Sequence, residues 1–195
     1  MKDFQTASDG ILVGTYRAGM EKAFEILYHR YHKPLFSFIV KMVRDRVVAE
    51  DLFQLTWTRV LSGLDQYQEQ AKFAGWIFGI ANNACMDHFR KKTRSPEIEW
   101  KENGYQGMEQ DTPDDPESIL IRKERQAMLS EAIGRLSEDQ RQIVLLRLYS
   151  GLTFQEISKM LGSPLNTILG RMHYAVKNLK KHIQQSDGTG ESHVL

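Results

Sequence analysis

The chain has 195 residues, 41% of them hydrophobic and 26% charged. That is an ordinary balance for a globular protein with one or two cores, and no run approaches the roughly 18 uncharged apolar residues of a membrane span. The opening MKDFQTASDG lacks the basic start and apolar stretch of a signal peptide, and the one cysteine, Cys85, excludes an internal disulfide. The net charge of +1 conceals a pattern: residues 1–94 carry 14 Lys and Arg against 10 Asp and Glu, residues 95–117 carry 1 against 8, and residues 118–195 carry 11 against 7. Two mildly basic blocks flank an acidic segment.

In chain order, residues 1–19 are read as an N-terminal extension. Ala23, Phe24, Leu27, Tyr28 and Tyr31 recur at helical spacing. Pro34 breaks that helix or starts the next, which carries Leu35, Phe36, Phe38, Ile39, Met42 and Val43. Val48, Leu52, Leu55 and Leu61 mark a third helix. Phe73 to Phe89 form a fourth, with Trp76, Ile77, Ile80, Ala81, Ala84 and Cys85 on its apolar face. Residues 95–117, with Pro96, Pro113 and Pro116 and no sustained apolar period, form a flexible acidic linker.

A fifth helix covers Ile119 to Leu136. Ser137 with Gln140, and Thr153 with Glu156, read as capping boxes opening the sixth and seventh helices. Gly151 and Gly162 end those two helices, and Ser163 with Pro164 opens an eighth running towards Ile183. Residues 184–195 are expected to be a disordered tail. The fold class is therefore all-α: two small helical domains, residues 20–94 and 118–183, joined by the linker.

The last two helices have a distinctive layout. The short FQEISKML meets a tight turn at Gly162, and a longer helix follows with Arg171, His173, Lys177, Lys180 and Lys181. Ile157, Leu161, Ile168 and Met172 are placed to pack the pair together. This is the helix-turn-helix pattern, whose second helix fits the DNA major groove. An antiparallel helix pair with a solvated basic face has the same spacing, and spacing alone leaves both readings open.

Other constellations carry less. Glu25, His29 and His32 lie at i, i+4 and i+7 on one helix, but no further ligand cluster accompanies them, so no metal is expected. Cys85 falls in an apolar stripe and reads as core rather than as a nucleophile beside His88. There is no Gly-rich phosphate loop, and no catalytic set or cofactor is expected.

Two stretches resemble a known family. LSEDQRQIVLLRLYSGLTFQEISKMLG is similar to the fourth conserved region of sigma factors, in the extracytoplasmic-function subfamily. AFEILYHRYHKPLFSFIVKMV, AEDLFQLTWTRVL and KFAGWIFGIANNACMDHFRKKTR are similar to the helices of the second conserved region. The resemblance implies a transcription initiation factor, not an enzyme, that binds core RNA polymerase through its beta-prime clamp and beta flap, and binds promoter DNA. It also implies a partner anti-sigma factor and a cytoplasmic place of action. The alternative is a helix-turn-helix regulator that binds operators alone.

The resemblance carries site residues with it. Glu50, Asp51, Phe53, Gln54 and Thr58 would face the clamp, with Leu55 standing where the family usually has an acidic residue. Trp76, Asn82, Asn83, Asp87, Arg90, Lys91, Lys92 and Arg94 would serve the minus-ten element, with the loop around 66–72 supplying a pocket for an unstacked base. Asn166, Thr167, Gly170, Arg171, His173, Tyr174 and Lys177 would face the minus-thirty-five element. There the chain departs from the family: Leu169, Tyr174 and Val176 replace usual basic residues, and Gly170 replaces a small hydroxyl residue. Fewer basic residues imply fewer phosphate contacts. The acidic linker, with Asp111, Asp114 and Asp115, would pass through the polymerase between the two domains.

Overall fold

A computed structural model describes residues 4–68, 72–94 and 116–187. Asp111, Asp114 and Asp115 of the expected linker and residues 188–195 of the expected tail lie outside them, whereas residues 116–117 and 184–187, expected as linker and tail, are helical. The described residues form eight α-helices and no strand: α1 Asp9–Arg17, α2 Glu21–Val43, α3 Arg46–Gly63, α4 Phe73–Arg94, α5 Pro116–Gly134, α6 Glu138–Tyr149, α7 Phe154–Leu161 and α8 Leu165–Asp187.

The N-terminal extension contains a helix that the sequence analysis does not anticipate. Ser8 caps α1, accepting from the Ile11 N–H, and Leu12 and Val13 are buried in the core. The helix is short, and its two core side chains are adjacent, so no 3.6-residue period develops over a usable window. Pro34 also behaves differently from expectation: α2 runs through it unbroken. The apolar face continues from Ala23, Ile26 and Leu27 to Leu35, Phe38, Ile39, Met42 and Val43, all buried. Burying several such side chains, at about 1.5–3 kcal/mol each, outweighs the ~3 kcal/mol cost of an interior proline. Asp45 then caps α3 by accepting from Val48, and Arg44 turns the chain at φ 62°.

In the C-terminal part, Ser137 caps α6 by accepting from the Gln140 N–H, but the Gln140 side chain accepts from Asn178 instead of reaching back. Only half of that capping box forms. The second box is complete: Thr153 and Glu156 bond each other's backbone N–H at the start of α7. Gly162 ends α7 at φ 60°, and the Ser163 N–H reaches the Ser158 carbonyl at 3.1 Å, which satisfies an orphan carbonyl of the last turn. A Cβ built at Gly162 meets nothing within 4 Å. Gly162→Ala should therefore lose only the left-handed backbone term, about 1 kcal/mol, while Gly162→Asn loses less. Urea denaturation of the two variants checks this.

Ile157 and Ile168 are fully buried between α7 and α8, with Leu161 and Met172 half-buried beside them. A second small cluster, Leu136, Val144 and Ala175, joins α6 to α8. The larger core, built from α1–α4, extends without interruption into Ile143, Leu145, Leu146 and Leu152. The two groups of helices thus share one apolar core in this conformation.

Candidate functional site

The α3 strip is the simplest surface. Glu50, Asp51, Gln54 and Thr58 are exposed, and Leu55 is 39% exposed beside them. Glu50 pairs with Arg46 at 3.0 Å, one turn back. Phe53 does not join the strip. It is half-buried, with the rings of His32 and Phe36 at 5.3 and 5.4 Å and that of Trp57 beyond them. Its role is to seat α3 on α2 and so aim the strip outward.

Helix α4 has three faces. Phe73, Ile77, Phe78, Ala81 and Cys85 point into the core. Burial pushes the Cys85 thiol up to about 12, as expected of a packed and unreactive side chain. Asn83, Asp87, Arg90 and Lys91 lie on an outer face, where Arg90 pairs with Asp87 at 3.1 Å. Lys92 is half-buried, and the side chain of Arg94 lies outside the described residues. The third face carries Gly75, Gly79 and Asn82 and meets the C-terminal helices. Cβ atoms built at the two glycines would stand 3.5 Å from Leu152 and 3.6 Å from Met160, ordinary contact distances.

Asn82 therefore does not share a surface with Asn83. It is 3% exposed, and its Oδ1 accepts from Gln142 Nε2 at 2.8 Å, with Gln142 itself 6% exposed. Trp76 stands between these situations, half-buried against Tyr67 and Phe73 at 5.0 and 5.6 Å between centroids. Gly63 lies under its ring, where an added Cβ would come within 3.1 Å of Trp76 Cζ2.

On α8, Asn166, Thr167, His173, Tyr174 and Lys177 are exposed and Gly170 is partly so, at spacings that place them along one side. Tyr174 is 58% exposed. Arg171 departs from this group: its guanidinium pairs with Asp139 at the start of α6, at 2.7 Å. A cation otherwise free for an anionic partner is thus held by a carboxylate of its own chain.

Four contacts that join the two groups of helices have no counterpart in the sequence reading. Besides Asn82 with Gln142, Lys72 pairs with Glu156 at 3.1 Å, and Arg44 donates to the Gly134 carbonyl at 3.1 Å. Arg141 donates to the carbonyls of Met42, Gly134 and Leu136. The only sequence sign of Arg141 and Gln142 is that they stand one turn before Leu145 and Leu146, on the face of the helix that should be apolar.

A family model described as sigma-70 region 2 matches residues 27–95, and one described as sigma-70 region 4 matches residues 132–181. The chain belongs to the extracytoplasmic-function subfamily of sigma-70 factors. It is 28% identical over 173 residues to the ECF RNA polymerase sigma factor SigX of Bacillus subtilis, covering 85% of this chain and 86% of that protein. It is 29% identical over 166 residues to the RNA polymerase sigma factor CarQ of Myxococcus xanthus, covering 85% and 92%. Among solved structures, the fold is shared with the sigma factor RpoE of Bartonella quintana, determined with the anti-sigma factor NepR. The TM-score is 0.68 at 20% identity, over 85% of this chain and 98% of that one. It is also shared with CnrH in complex with the cytosolic domain of CnrY, with TM-score 0.65 at 20% identity over 92% and 99%. The region 2 match runs from within α2 to the end of α4, and the region 4 match from the end of α5 through most of α8. Helix α1 lies outside both matched segments.

Proposed function

We propose that this chain binds core RNA polymerase and directs promoter recognition, melting and transcription initiation, with the bond-forming chemistry left to the polymerase. The observation that carries this reading is the presence of both sigma regions, in order, on one chain. A regulator that binds operators alone has no use for the region 2 unit. The exposed α3 strip, with Asp51 and Gln54 at its centre, docks on the polymerase clamp. Asn83, Arg90 and Lys91 on the outer face of α4 hold the strand backbone at the minus-ten element, since basic side chains fix phosphates and carry little sequence information. The side of α8 carrying Asn166, His173, Tyr174 and Lys177 faces duplex DNA at the minus-thirty-five element. The site of action is the cytoplasm, where the polymerase works.

The described conformation withholds part of this machinery. Asn82 is buried under Gln142, and Lys72 is neutralised by Glu156. We infer that region 4 leaves region 2 before the minus-ten strand is read, and that an anti-sigma factor restrains the free protein. RpoE of Bartonella quintana, which has the same fold, was determined with such a partner. Permanganate footprinting tests the melting role: unpaired thymines near the start site should appear only when chain and core polymerase are both present. Reactivity with neither, or with core alone, would contradict it.

Asp139 supplies a second expected result. Asp139→Asn releases Arg171 from its ion pair and should raise duplex minus-thirty-five affinity several-fold. It should also steepen the dependence of log affinity on log salt by about one, the increment for one added phosphate contact. An isolated region 4 titrated with labelled duplex at several salt concentrations measures both.

A further inference from the structure

A cleft of about 1210 Å³ lies between region 2 and α7. Trp76 and the edge of the nearly buried Tyr67 give it aromatic surface, backed by Phe73 in the core, and Lys72 stands at its edge. The segment Ser8–Gly10, which opens α1, forms another wall. A site for an unstacked base needs such a combination: a planar surface, polar edges and a cation for the backbone. Helix α7 roofs the cleft in the described conformation, with Glu156 on Lys72. Departure of region 4 uncovers it.

Helix α1 is pinned at both ends. At its start, Asp9 receives the Arg30 guanidinium and the Tyr31 hydroxyl, and Arg30 also donates to the Ala7 carbonyl at 2.9 Å. At its end, Arg17 reaches the turn Leu64–Gln66 and the residue after it. Arg17 Nε and Nη2 donate to the Leu64 carbonyl at 3.1 and 2.6 Å, and Nη2 also donates to the Tyr67 carbonyl. These carbonyls belong to the segment that carries Tyr67 into contact with Trp76. A guanidinium presents several donors in one rigid plane, so it fixes both carbonyls relative to each other. Without it, the turn loses these bonds to α1.

We propose that α1 is part of the strand-reading site and that Arg17 is a positioning residue, holding the 64–67 turn so that Tyr67 and Trp76 form the wall against which an unstacked base of single-stranded promoter DNA rests. This rests on the sigma reading above and goes beyond it, because α1 lies outside the matched region 2.

The test uses the full chain assembled with core polymerase and a labelled single-stranded minus-ten oligonucleotide. Arg17→Ala should weaken oligonucleotide binding about 10-fold and flatten the preference among bases at the captured position, whereas Arg17→Lys should recover part of both. Core assembly, which α3 carries, reports whether the variant is folded. Unchanged oligonucleotide affinity and base preference at normal core assembly would overturn the proposal. If Arg17→Ala fails to assemble, a benzoylphenylalanine placed at Ser8 of the otherwise unaltered chain decides. Photocrosslinking to the minus-ten strand supports the proposal, and crosslinking from position 68 but not from position 8 overturns it. Failure of the unaltered chain to bind core polymerase is a separate outcome that sinks the sigma reading itself.

Discussion

Arg141→Ala should lower stability by about 3 kcal/mol and let the two sigma regions move apart. The side chain is 8% exposed, and its guanidinium donates to Met42 at 3.0 Å, Gly134 at 3.0 Å and Leu136 at 2.9 Å. Those carbonyls lie at the end of α2 and in the turn between α5 and α6, so one cation joins region 2 to region 4. Burial, reinforced by nearby Arg44, lowers its pKa, while Glu138 opposes the shift. The group still has no accessible neutral form near neutral pH. Its carbonyl partners offset the cost of burying the charge. Truncation leaves those carbonyls facing a void, and hydrogen bonds to a charged group are worth about 1.5–3 kcal/mol each. Urea denaturation measures the loss, and small-angle scattering the separation. A larger radius of gyration with helical content retained is expected. An unchanged radius would mean that other contacts hold the regions together.

The second large effect concerns the polymerase. Asp51→Arg combined with Gln54→Ala should reduce affinity for core enzyme about 100-fold, equivalent to about 2.7 kcal/mol, because a reversed charge at the centre of an interface repels as well as removing a contact. Both side chains are exposed on α3 and outside the core, so the melting temperature should stay within a degree or two. Competition against the unaltered chain for a limited amount of core polymerase gives the ratio. Equal competition would remove α3 from the clamp interface.

Much of this organisation was legible beforehand, for a definite reason. Helices that bury one face carry a 3.6-residue signature, and Thr153 with Glu156 and Gly162 mark ends through local hydrogen bonds and local backbone geometry. These need no knowledge of the rest of the fold. Pro34 was misread because its local penalty is visible in sequence, whereas the burial of Leu35 to Val43 that overrides it is tertiary. Helix α1 was missed because two adjacent core residues make no period. Phe53 sits on a helix rich in exposed polar residues, and only the rings of His32 and Phe36 reveal which way it turns.

The contact between the two regions was the least legible feature. Asn82, Gln142, Lys72 and Glu156 are residue types that ordinarily form solvated faces. Their pairing depends on how two separate helical units meet, and periodicity within either unit carries no information about that. Asn82 and Asn83 illustrate the limit: neighbours in sequence, they lie on different faces of α4, one locked against Gln142 and one exposed.

The most direct measurement is to mix the purified chain with bacterial core RNA polymerase, isolate any complex by gel filtration, and run runoff transcription on genomic promoter fragments. A stoichiometric complex and transcripts from specific start sites are expected, both lost with Asp51→Arg and Gln54→Ala. No association with core, alongside tight duplex binding by the chain alone, would contradict the sigma reading.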